Sequence, residues 1–176
     1  MRRRPFLAAV SLLAAVLPTL ALPSAAAGQS DAIVVYLVRH AERAEDGTSD
    51  PVISLNGWDR SRLLAAMLSD AGLTNIHTTD FKRTRGTGRP TTEATGLAME
   101  VYSPRDLAAF AERLRGMPGR HLVLGHSNTT PGLVAALGGD PGSNIEELEY
   151  DRLYIVTLTD DGASTVLIRF GRRFEG

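Results

Sequence analysis

Ile33-Val34-Val35-Tyr36-Leu37-Val38-Arg39-His40 is the stretch on which the fold turns. Six apolar residues in a row have the length of a strand and lack the in-out alternation of a half-exposed one. Such a run suits a strand covered on both faces, as in a parallel sheet. The run then stops at a guanidinium and an imidazole. Open α/β sheets bind their ligands in the crevice outside the carboxyl ends of the strands, so the stop is also a candidate site.

Downstream, His121-Leu122-Val123-Leu124-Gly125-His126 repeats the theme of a short apolar run ending in histidine. Between the two runs, Ile76 to Thr79 reads as a third, shorter strand, with Arg83 a few residues beyond it. Residues 43 to 56 read as a loop, with Gly47, Asp50-Pro51 and Asn56. Leu64, Met67, Leu68 and Ala71 recur at helical spacing and predict a helix from Gly57 to Ala71, stopped by Gly72. A weaker helix is expected near Phe81 to Leu97, its first half undermined by Gly86, Gly88 and Pro90. Ser103-Pro104 opens another, with Leu107, Phe110, Ala111 and Leu114 as its apolar stripe, and Pro131 to Leu137 a short one. Leu153 to Leu158 and Ser164 to Phe170 read as two closing strands around an Asp160-Asp161-Gly162 turn. Strands alternating with helices predict an α/β fold: a three-layer sandwich with a mostly parallel central sheet and helices on both faces.

The 176 residues suit one domain, and a formal net charge of −1 carries no basic excess that would point to nucleic acid. There are no cysteines, which excludes disulfides, thiolate metal sites, a cysteine nucleophile and a lipoprotein anchor. The first residues stand apart. Arg2-Arg3-Arg4, the apolar stretch from Phe6 to Leu22 and the small residues Ser24-Ala25-Ala26-Ala27 form the pattern of a secretory signal peptide. The expected organisation is therefore a signal over residues 1–27 and one domain over 28–176, located in the periplasm or secreted, with no membrane anchor after cleavage. Export by the Sec or the twin-arginine route fits equally. Loss of three arginines leaves a mildly acidic domain, so an anion site must be built locally.

Arg39, His40, Arg83 and His126 all lie at or just after strand ends, and in a parallel sheet those ends share one edge. Two guanidiniums and two imidazoles suit a tetrahedral dianion, because arginine offers fixed, charge-assisted hydrogen bonds to phosphate oxygens. These residues carry a resemblance. Val38-Arg39-His40-Ala41-Glu42 is similar to the R-H-G signature of the histidine phosphatase superfamily, the phosphoglycerate mutase-like fold. Leu55-Asn56-Gly57 resembles its L-T-x-x-G segment, Arg83-Thr84-Arg85-Gly86-Thr87 its R-x-x-x-T, and Gly125-His126-Ser127 the segment of its second histidine. Glycine more often follows the first histidine, where Ala41 stands, and serine more often precedes the second arginine, where Thr79-Asp80 stands.

The resemblance implies that His40 attacks phosphorus and forms a phosphohistidine, while Arg39, Arg83 and His126 bind the phosphate, with no metal or other cofactor. It implies a general acid for the leaving group. Asp106 stands in about the right region, though Ser103-Pro104-Arg105-Asp106 also fits a helix cap, and Glu42 and Glu93 are rivals. The expected activity is hydrolysis of a small-molecule or envelope-linked phosphomonoester. A phosphatase for protein phosphohistidine and a non-catalytic phosphate or phosphosugar-binding module are the alternatives. His77 and His121 read as structural or surface residues, Trp58 as packing, and Tyr150-Asp151-Arg152 as a solvated strand entrance in preference to a substrate rim. The physiological substrate and the oligomeric state are not legible.

Overall fold

The computed structural model describes residues 32–176; the segment read as a signal peptide lies outside the described residues. In chain order the elements are β1 (Ile33–Arg39), α1 (Leu55–Met67), β2 (Asn75–Thr78), α2 (Lys82–Thr95), β3 (Met99–Val101), α3 (Leu107–Arg115), β4 (Gly119–Gly125), α4 (Thr129–Ala136), β5 (Arg152–Thr159) and β6 (Gly162–Arg169). The strands form one sheet in the order β3-β2-β4-β1-β5-β6. Strands β3, β2, β4 and β1 pair in parallel, and β5 runs antiparallel to both β1 and β6. The sheet is mixed, with only β5 reversed, and it carries helices on both faces.

The order of strands explains the layering. The chain leaves β1, passes over the place of β4 to lay down β2 and then β3, and returns to insert β4 beside β1. Parallel crossovers are right-handed, so a reversal of direction along the sheet sends the next helix to the opposite face. Helices α1 and α2 accordingly pack together on one face, and α3 and α4 on the other. Strand β1 alternates between the two layers. Val35 and Leu37 join the core with Phe110, Leu114, Leu133 and Tyr154, while Val38 joins the core with Leu64, Ile76, Leu124 and Leu153. A strand covered on both sides needs apolar residues at every position, which is why its sequence does not alternate.

Four expectations need correction. Helix α1 begins at Leu55, with Ser54 Oγ accepting from Gly57 N at 3.2 Å, and stops at Met67, so residues 68–71 form a turn before Gly72 at φ +65°. Helix α2 is continuous through Gly86, Gly88 and Pro90. Its glycines are where the helix lies closest to its neighbours: a Cβ at Gly88 would stand 2.4 Å from Leu124 Cδ1. Helix α3 starts at Leu107, three residues after Pro104, because Asp106 is its N-cap. Strand β3 has no counterpart in the sequence reading; three residues at a sheet edge carry too little periodicity to be seen.

Candidate active site

Register puts the first histidine beside the second. Arg39 pairs with Gly125 across β1 and β4, so the next residue on each strand is a histidine, and His40 N donates to Gly125 O at 2.9 Å. After β1 the chain turns to the α1 face and after β4 to the α4 face, leaving a crevice between two diverging connections. The imidazoles of His40 and His126 meet edge to face with centroids 5.4 Å apart. Gly125 keeps this corner tight, because a Cβ there would come within 2.9 Å of Thr129 Oγ1 and Thr130 Oγ1.

His40 is 4% exposed, and its Nδ1 lies 2.8 Å from Ala41 O. A carbonyl oxygen only accepts, so Nδ1 carries the proton and Nε2 keeps its lone pair. Burial, opposed by the Ala41 hydrogen bond and reinforced by Arg39, His126 and Arg83, lowers the His40 pKa to about 3. The ring is thus neutral with a fixed tautomer. Ala41 N donates to Thr87 Oγ1 at 2.9 Å, which ties the end of β1 to α2. In the same way burial, with Arg83 and Arg39 nearby, brings His126 down to about 4.

Arg39 is held by residues distant in sequence. Its Nη1 donates to Glu146 O at 2.7 Å and to Glu149 O at 3.0 Å, and Tyr150 lies under the guanidinium at 4.2 Å. That loop is itself pinned from within. Buried Glu149 accepts from Arg152 Nε at 2.6 Å and from Arg169, while Arg152 reaches Ser143 O and Asn144 O. Burial alone would raise the Glu149 carboxyl, yet these hydrogen bonds and that from Glu146 N outweigh it and hold it at about 2. Tyr150, Asp151 and Arg152 are all buried, which corrects their reading as a solvated strand entrance. Arg39 needs a rigid cradle, and a buried ion network supplies one.

Arg83 projects from the first turn of α2. Its Nη1 lies 3.3 Å from Asp50 Oδ1, and its Cζ sits 4.4 Å from the centroid of Phe81, whose ring in turn stands on His126. Asp50 also accepts from Lys82 N at 3.1 Å and so caps α2, a task no local residue performs. The Nε atoms of Arg39 and Arg83 are both buried without a hydrogen-bond partner among the described residues. An unpaired buried donor costs about 1–3 kcal/mol, so two of them on converging guanidiniums mark donors reserved for an anion. Beside them opens a cavity of about 700 Å³ lined by Glu42, Arg43, Asn56, Arg83, Leu148 and Tyr150. A larger cavity of about 870 Å³ lies at the amino end of β1; among the described residues that line it only Arg115 and Asp160 carry charge, and they include none of these groups.

Arg39, His40, Arg83 and His126 are therefore brought together as expected, and Asp106 is not. Its carboxylate caps α3 by accepting from Ala109 N at 3.0 Å, and it makes no hydrogen bond to any of the four. The rivals are occupied as well. Glu42 takes a bidentate pair from Arg60 at 2.8–3.0 Å, and Glu93 pairs with Arg89 on the exposed side of α2. Sequence reading missed Asp50 and Thr79 and weighed Tyr150 only as part of a substrate rim; the fold delivers the three from separate segments. Only the short spacing from Thr79 to Arg83 was visible in the sequence. His77 and His121 are fully buried and hydrogen-bonded to each other at 3.2 Å.

Residues 35–108 match the family model described as histidine phosphatase superfamily (branch 1). A curated relative named "Probable phosphoglycerate mutase GpmB", from Serratia proteamaculans (strain 568), is 41% identical over 77 residues, which are 40% of this chain and 35% of that protein. The match thus spans about a third of that relative's length. Among solved structures, the protein histidine phosphatase SixA complexed with tungstate has a TM-score of 0.64 at 23% identity, covering 77% of this chain and 96% of that one. A mycobacterial glucosyl-3-phosphoglycerate phosphatase complexed with VO3 has a TM-score of 0.59 at 15% identity, covering 78% and 98%. At these identities the two structures speak for the fold, and the family match rests on the segment that runs from the first histidine strand to the start of α3. Residues 35–108 thus resemble the histidine phosphatase superfamily in sequence, and the chain shares the fold of the solved histidine phosphatase.

Proposed function

We propose that this chain is an exported phosphomonoesterase that works through a phosphohistidine on His40. The observation that carries the reading is the tautomer of His40: Nδ1–H is spent on Ala41 O, so the Nε2 lone pair is available as the nucleophile at neutral pH. Arg39 and Arg83 orient the phosphoryl group and take up the charge that grows on its equatorial oxygens. Nε2 attacks phosphorus as the leaving oxygen departs in line, and water then cleaves the phosphohistidine. Splitting the displacement into two steps is the gain of covalent catalysis. Residues 1–27 serve as the export signal in this reading. The substrate is a small-molecule or envelope-linked phosphomonoester, reached in the periplasm or outside the cell, and neither nucleic acid nor a membrane anchor has a part.

One observation favours a second reading of the substrate. Each carboxylate weighed as general acid is engaged elsewhere: Glu42 by Arg60, Glu93 by Arg89, and Asp106 by its own helix. A leaving group that departs without a strong acid, such as the imidazole of a protein phosphohistidine, suits such a site better than an alkoxide. Brief mixing with a radiolabelled aryl phosphate should trap a base-stable, acid-labile phosphoenzyme, and His40→Ala should abolish both the label and turnover. Full activity in His40→Ala sinks the proposal, and phosphate binding with no turnover of any ester or phosphohistidine makes the chain a binding module. Rates measured across aryl phosphates of rising leaving-group pKa separate the substrates. A steep fall points to activated leaving groups, and a shallow one to a general acid in place.

A further inference from the structure

The buried hydroxyls behind His126 determine which of its nitrogens faces chemistry. His126 Nε2 lies 2.9 Å from Thr79 Oγ1, and Thr79 Oγ1 lies 3.0 Å from Thr84 Oγ1. Thr84 Oγ1 in turn lies 3.0 Å from both Thr79 O and Phe81 O. Thr79 and Thr84 are fully buried. The direction of the chain follows from its far end. Carbonyl oxygens only accept, so Thr84 must spend its single hydroxyl proton on them; otherwise three lone-pair oxygens would crowd together in a dry site. Thr84 Oγ1 is then an acceptor for Thr79, whose own proton is spent in turn. Thr79 Oγ1 is left as an acceptor, and only an N–H on His126 Nε2 can meet it.

We infer that Thr79, backed by Thr84, is a positioning residue that fixes His126 as the Nε2–H tautomer and leaves Nδ1 as a proton acceptor for the phosphoryl group. The inference rests on the phosphatase reading for its use, though the tautomer itself does not. A phosphoryl monoanion entering between Arg39 and Arg83 gives its P–OH proton to Nδ1. One O–H bond breaks and one N–H bond forms, the phosphoryl becomes a dianion, and His126 becomes an imidazolium that donates the same proton back as a charge-assisted hydrogen bond. No further reactant is needed. The charged groups around His126 make the step conditional on the ligand. Arg83 and Arg39 oppose a proton on the ring, Asp50 favours one, and His40 is neutral. The negative charge of the arriving phosphoryl group offsets the two guanidiniums and reverses that balance.

The test reads imidazole nitrogens directly, by 15N-histidine NMR on the whole chain. At neutral pH His126 should show a protonated Nε2 and a bare Nδ1. Thr84→Val should invert this, because Thr79 would then have no acceptor except His126 Nε2 and would donate to it. Saturating inorganic phosphate should protonate both nitrogens in the wild type. Thr79→Val should lower kcat/KM about 10-fold or more and reshape its acid limb, with Thr79→Ser restoring both. A wild-type Nδ1–H tautomer, or a Thr84→Val protein with an unchanged one, overturns the inference. A protein with the expected tautomers that binds phosphate but hydrolyses neither an ester nor a phosphohistidine would overturn the phosphatase reading instead.

Discussion

Arg39 is one residue from the nucleophile, yet its geometry is set more than a hundred residues away. Two backbone carbonyls hold one face of its fork, the Tyr150 ring supports its plane, and Nε has no partner among the described residues. Lysine cannot reproduce this arrangement, because a point charge with rotating donors neither stacks nor forks. Arg39→Lys should therefore lower kcat/KM by about 100-fold or more while leaving the fold intact, the loss expected when a donor to transition-state charge is removed. Steady-state kinetics on an aryl phosphate with a parallel melting curve would check it. A loss of less than about 3-fold would mean that charge alone suffices at this position.

The element that matters most to the site is the segment from Ser143 to Arg152, which has no regular structure before β5. It is ordered by side chains: Glu149 and Arg152 are 2% and 4% exposed and satisfy one another and the loop's backbone. Removing one member of a buried pair leaves the other charge uncompensated. Glu149→Ala should destabilise the protein by about 3–5 kcal/mol in urea unfolding. It should also weaken binding of inorganic phosphate, since the Glu146 and Glu149 carbonyls would no longer hold Arg39. Unchanged phosphate affinity in a folded variant would show that Arg39 is placed by β1 alone. Sequence inspection sees a charged run here, and charged runs are ordinarily solvated. Burial depends on the partner Arg169 across β5 and β6, which no local pattern announces.

At the scale of the molecule, the four histidines set the response to acid. Burial lowers the pKa of His40 to about 3 and of His77 and His126 to about 4, and it lowers His121 as well. In the unfolded chain each titrates near 6.5. As pH falls below that value the unfolded state takes up protons that the folded state refuses, so stability falls with pH between about 6.5 and 4. The limiting slope is about 1.4 kcal/mol per pH unit for each histidine that stays neutral. Melting temperature followed across that window should decline steadily and flatten below it on the histidine account, with loss of the Glu149 ion pairs beginning further down. A constant melting temperature from pH 7 to 5 would mean that these rings are charged in the folded protein.

The sequence by itself determined the fold class, the order of most elements and the positions of Arg39, His40, Arg83 and His126. The reason is physical: an uninterrupted apolar run of strand length suits a strand covered on both faces, and polar residues that end such a strand lie at the sheet's edge. Tertiary structure decided what those four residues can do. The proton on His40 depends on a carbonyl one residue away, and that on His126 on Thr79 and Thr84. Arg39 depends on a loop closed by buried ion pairs, and the carboxylates that sequence offered as acids proved to be helix caps and salt-bridge partners. The contacts that hold Arg39 and His126 join distant segments, so no local spacing encodes them.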